Sequence, residues 1–185
     1  MGATFQYLVV SNAGGTVTSP PDGPYQIVRQ DLGYWAAFLL RGAIVELTDL
    51  DRTTATLSEH ARLAVGVYVE FSDWGYCVGA SDGDIAFRVV VNDSVAELNP
   101  TGRWALEQCA ALADSPAWKL DAATRVQRWA AQVPYEATVQ EVAAEDVLVV
   151  LNEDVLFADD TLDRFTRMLG IPSVRWPMEQ AWPLQ

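Results

Sequence analysis

GVYVEFSDWGYCVGASDGDIAFRVVVN, residues 66–92, is the stretch that decides the fold. Residues 66–71, 74–80 and 85–92 are three short runs rich in β-branched and aromatic residues, the composition that suits a pleated, partly buried strand. Ser81-Asp82-Gly83-Asp84 separates the last two runs. Asp-Gly between apolar runs favours a tight turn whose positive φ angles match the twist of the flanking strands. Strands joined by so short a link pair antiparallel.

Working outward toward the N-terminus, residues 5–11 read as a further strand, with Phe5, Tyr7 and Val9 alternating with Gln6, Leu8 and Val10. Residues 12–24 hold three prolines and three glycines and read as a loop. Residues 25–30 suit a short edge strand. The apolar run 34–40 suits either a buried strand or a helical turn, because periodicity does not separate the two. Arg41-Gly42 then marks a turn and residues 43–47 another strand. The form Thr56-Leu57-Ser58-Glu59 matches a capping box, so a helix is expected over about residues 57–64, with a start that can lie further upstream.

Toward the C-terminus the signals become helical. Asn99 as cap and Pro100 at the first helical position open a segment whose apolar face is Trp104, Ala105, Cys109 and Leu112. Asp121 is expected to cap a second helix carrying Ala122, Val126, Trp129, Ala130 and Val133, stopped by Pro134. Thr138 and Glu141 form another capping box. The run 147–151 is rich in valine and is expected to return to the sheet as a strand. Asp159 or Asp160 then caps a last helix with Leu162, Phe165 and Leu169, closed by Gly170 and Pro172. Strands first and helices second predict an α+β fold: an N-terminal, mostly antiparallel sheet with one helix inserted, packed against a C-terminal group of helices. Residues 1–185 are expected to form one domain, with a strand-rich half (1–98), a helical half (99–172) and an extended tail (173–185) that Trp176 and Trp182 staple to the rest.

Half of the 185 residues are apolar and a fifth are charged, which is the composition of a chain that folds around a core. The apolar runs are far shorter than the roughly 20 residues a membrane span needs, and no basic region precedes the first of them as a secretory leader requires. Cys77 and Cys109 are the only cysteines, 32 residues apart, and are expected as free buried thiols in a reducing compartment. Lys119 is the only lysine among twelve basic residues, a bias that fits coding from a GC-rich bacterial genome. The expected location is the cytoplasm. A formal net charge of −13 repels phosphate backbones and anionic headgroups, so neither nucleic acid nor membrane is an expected partner.

No motif of nucleophilic or phosphate chemistry is present. There is no Gly-x-Ser-x-Gly elbow and no P-loop lysine. One histidine and two dispersed cysteines make no zinc set. The spacing of Asp82, Asp84 and Asp93 does not fit a calcium loop. No metal and no cofactor is expected. The weak catalytic candidates are Glu70 and Asp73, which need a bend to come together because a regular strand sets them on opposite faces, and the lone His60. Trp35, Trp74 and Tyr76 are candidates for stacking a flat ligand, since seven tryptophans is a high count for this length.

Charge is least even between residues 141 and 163, where eight carboxylates occur with no lysine or arginine between them. Glu153, Asp154, Asp159, Asp160 and Asp163 are therefore the candidate binding residues for a basic protein, which such a face would attract by electrostatic steering. The leading expectation is a non-enzymatic, inhibitor-like or immunity-like interaction domain. The alternative is a carboxylate-dependent hydrolase or small-ligand-binding domain built on Glu70, Asp73 and the aromatic trio.

Overall fold

The computed structural model describes residues 4–12, 20, 25–42, 46–113, 117–134, 141–153 and 157–174. Six strands, β1 (Phe5–Ser11), β2 (Tyr25–Leu32), β3 (Trp35–Gly42), β4 (Leu63–Glu70), β5 (Trp74–Ser81) and β6 (Asp84–Val91), form one sheet in the order β2-β3-β1-β4-β5-β6. Every neighbouring pair is antiparallel. The expected Asp-Gly turn joins β5 to β6, with Asp82 at φ 51° and Gly83 at φ 93°. β2 is an edge strand, as its sequence suggested, and its exposed Arg29–Asp31 pair places charge on that edge, where it discourages pairing with another chain.

Helices cover both faces. α1 (Leu47–Ala61), α2 (Asp93–Ala96) and α3 (Pro100–Leu112) lie on one side, and α4 (Trp118–Ala130), α5 (Ala144–Leu151) and α6 (Ala158–Met168) on the other. The first core joins Leu8, Val10, Phe38, Tyr68 and Tyr76 of the sheet to Leu50 and Leu57 of α1 and Cys109 of α3. The second joins Val9, Trp35, Val67, Phe87 and Val89 to Val126, Trp129, Val147, Leu162 and Phe165. Strands buried on both faces read as near-continuous apolar runs, which explains residues 34–40: they are β3, paired to β1 and β2. Gly66 sits where α1 crosses β4, and a Cβ there would meet Thr54 Oγ1 at 2.5 Å and Leu50 at 3.0 Å. Glycine lets that helix lie close to the strand.

The α+β class and the inserted helix are as the sequence predicted, but several elements differ. Residues 147–151 are not a strand; they belong to helix α5. Val147, Val150 and Leu151 are buried while Val149 is 60% exposed, which is helical spacing that tertiary packing imposes on β-branched residues. α1 begins ten residues before the expected 57, so Thr56 to Glu59 lie inside it and cap nothing. Its buried positions include Asp51, Thr54 and Ser58, polar residues that hide the apolar stripe from a hydropathy reading. Glu46 caps and Leu47 starts α1 rather than ending a strand, and residues 43–45 of that expected strand lie outside the described residues. Asn99 caps α3 as expected, accepting a hydrogen bond from Gly102 N at 2.7 Å. Asp121 instead lies within the first turn of α4, ion-paired to Arg125, and Asp159 and Asp160 lie within the first turn of α6. Thr138, Asp154, Trp176 and Trp182 fall outside the described residues.

Candidate functional site

Of the residues expected to carry chemistry, Glu70, Asp73 and Trp74 meet at the end of one hairpin, while His60 and Trp35 lie elsewhere. Glu70 and Asp73 stand at the two ends of the turn between β4 and β5, where Asp73 N donates to Glu70 O at 2.9 Å. Asp73 is exposed. The Glu70 carboxylate accepts the Tyr68 hydroxyl at 2.8 Å. Burial, and that hydrogen bond after it, push the Tyr68 hydroxyl well above its ordinary pKa. His60 is exposed in the last turn of α1, where a basic group suits the helix dipole. Trp74 and Tyr76 are buried in the core under α1 and α3, and Trp35 is buried in the opposite core against Trp129. The three rings therefore line no common surface and stack within the fold.

Sequence reasoning missed the most buried ionic group among the described residues. Asp51 of α1 faces the sheet, accepting the Tyr76 hydroxyl at 2.7 Å and Arg88 Nε at 2.9 Å. Burial raises the Asp51 pKa, and the Arg88 charge and the two hydrogen bonds oppose that rise. Burial also pushes up the Tyr76 hydroxyl and the neighbouring Cys109 thiol. This cluster ties α1 to β5 and β6. The only sequence signal for it was the helical spacing of Asp51 with Leu50, Thr54, Leu57 and Ser58.

The acidic stretch folds into α5, α6 and the segments that flank them. Between the two helices runs a groove of about 740 Å³ whose apolar lining includes Val142, Val149, Val150, Met168 and Ile171. Glu141, Asp146 and Glu153 also line it, together with Arg164 and Arg167. Arg164 pairs with Glu153, and Arg167 pairs with Asp163 at 3.0 Å. Asp163 also accepts the Ser173 hydroxyl at 3.0 Å. Glu153 and Asp163 are thus partly neutralised by the two arginines of α6, while Asp146 and Asp160 are exposed. Asp159 is half-buried, and its Oδ1 has no hydrogen-bond partner among the described residues. Across the described residues 141–153 and 157–168, seven carboxylates face two guanidinium groups.

A second concavity of about 440 Å³ continues from the groove, sharing Glu153, Arg164 and Arg167 with it and reaching Asp160 and Phe157. Ala158 N donates to Ser72 O at 2.9 Å, so the start of α6 abuts the β4–β5 turn. In that turn Phe71 has φ 53° and Ser72 φ 59°. Both central residues are left-handed, as a tight hairpin turn requires, yet neither is the glycine or asparagine such a turn favours. Phe71 is 58% exposed and Phe157 52% exposed.

Among the described residues no group of three or more histidine, cysteine, aspartate and glutamate side chains is arranged to hold a metal ion, and no helix is long and apolar enough to cross a membrane. Comparison of the chain with models of protein families, with curated proteins and with solved structures gives no match.

Proposed function

We propose that this chain is a non-enzymatic binding domain, acting in the cytoplasm of a bacterial cell, that engages a basic protein through the face formed by α5 and α6. The observation that supports this reading is the groove between those helices, lined by apolar residues and by carboxylates that outnumber arginines. An apolar centre with a charged rim is the general anatomy of a protein interface. The negative charge accelerates encounter with a positive partner, and the apolar lining supplies area to bury. A second reading, small-ligand binding, draws on the same groove, whose volume lies in the range of ligand sites. A metabolite that raises the melting temperature, with no protein retained, would favour it.

The test is retention of a basic protein from lysate of the source cells on the immobilised full chain at about 0.05 M and about 0.5 M salt. A partner held at low salt and shed at high salt is expected. Asp146→Asn with Asp160→Asn should then slow its association several-fold and flatten the salt dependence. An unchanged association rate would overturn the acidic face as the docking surface.

A further inference from the structure

We infer that Phe71 and Phe157 form the apolar anchor of this interface, and that they enter an apolar pocket ringed by lysine or arginine on a basic protein. The inference rests on the function proposed above and names the part of the face that carries the affinity. Five large apolar side chains are more than half exposed among the described residues: Phe71, Leu98, Leu120, Val149 and Phe157. Val149 lines the groove, and Phe157 lines the concavity that continues it. The hydrogen bond from Ala158 N to Ser72 O brings together the residues that follow the two phenylalanines.

Phe71 is unusual in two independent ways. A bulky side chain at positive φ is disfavoured by contact between its Cβ and its own backbone. Such strain persists only where the surroundings impose it, and here the turn is fixed by Phe71 N donating to Thr4 Oγ1 at 3.1 Å as well as by the Ala158 bond. The ring, however, is more exposed than buried, so the protein's own core returns little for holding it. Asparagine would satisfy the same backbone without strain. An exposed aromatic ring on a fixed turn has the character of an interface anchor.

The charge around the pair selects the occupant. Asp73, Asp159 and Asp160 lie within three residues of one or other phenylalanine. A second copy of this chain would bring like charge against like, at −13 for each chain. A positively charged partner meets the rings and the carboxylates together.

The experiment uses the full chain carrying Phe71→Asn, Phe157→Ser or, as a control for exposed apolar surface in general, Leu98→Ser. Each is scored for melting temperature and for retention, at about 0.05 M salt, of the basic protein that the unmutated chain retains. Phe71→Asn is expected to melt at or up to about 2–4 °C above the unmutated chain, the shift expected from roughly 1 kcal/mol of relieved strain. It and Phe157→Ser should each lower retention about tenfold or more, while Leu98→Ser leaves it unchanged. Full retention by both phenylalanine variants would overturn the anchor while leaving the acidic-face reading standing. So would a lower melting temperature for Phe71→Asn, since the ring would then serve its own fold. An unmutated chain that runs as a dimer, broken by either phenylalanine variant, would assign the patch to a second copy instead. If the unmutated chain retains no basic protein at all, the proposed function fails first and the anchor falls with it.

Discussion

Asp51 shows how a single carboxylate can be held inside a fold at a cost that pH reveals. Removing it from water raises its pKa above the ordinary value of 3.8, and Arg88 and Tyr76 only partly oppose that. A group whose pKa is higher in the folded state binds its proton more tightly there, so its contribution to stability is greatest at acid pH and falls as pH rises through the folded pKa. The melting temperature of the unmutated protein relative to Asp51→Asn should therefore fall as pH rises from about 4 to about 7. A gap that widens in favour of the unmutated protein would mean that the Arg88 pair outweighs burial. Asp51 was illegible because an aspartate in a stretch rich in Thr and Asp reads as solvated surface. Its partners, 25 and 37 residues away in sequence, are brought to it only by the sheet. Glu70 and Asp73, by contrast, were legible as a pair that a bend could join. The turn does join their backbones, but Glu70 is taken by Tyr68.

At the scale of elements, what could be read was whatever had local punctuation. The Asp-Gly turn, the Asn99-Pro100 start and the alternation of β1 each encode their geometry within a few residues, and each stands where it was expected. α5 was misread because a run of valines fits a strand or a buried helical turn equally well, and only contacts from α4 and the sheet decide between them. A substitution pair tests the decision. Val149→Lys should change stability by less than about 0.5 kcal/mol, because that side chain faces outward. Val150→Lys should cost about 3 kcal/mol or more, since it buries an ammonium against the core. Chemical denaturation measures both. A strand would put Val149 on the same face as Val147 and Leu151 and reverse the order.

At the scale of the whole molecule, the charge of −13 is spread over a body whose described ion pairs include several at the surface. Mutual repulsion among unpaired carboxylates opposes compaction, and salt screens it. Raising salt from about 0.02 M to about 0.3 M should therefore raise the melting temperature by a few degrees. A fall would show that the ion pairs contribute more than the repulsion removes. The acidity and the α+β class were legible in composition and in element order. The division of helices between two faces was not, because no strand sequence states which of its faces a later helix will cover.

The strand order also sets how the chain matures during synthesis. β1 sits inside the sheet between β3 and β4, so the earliest strand waits for residues 63–70 before both its edges are paired. Once β6 is in place, the side carrying Tyr7, Val9, Trp35 and Phe87 is still bare, and its cover arrives only with α4, α5 and α6. At roughly 5–20 residues per second, the stretch between the end of β6 and the end of α6 takes about 4–15 s to emerge. A sheet that formed ahead of those helices would hold this apolar side open to water and to neighbouring chains throughout that interval.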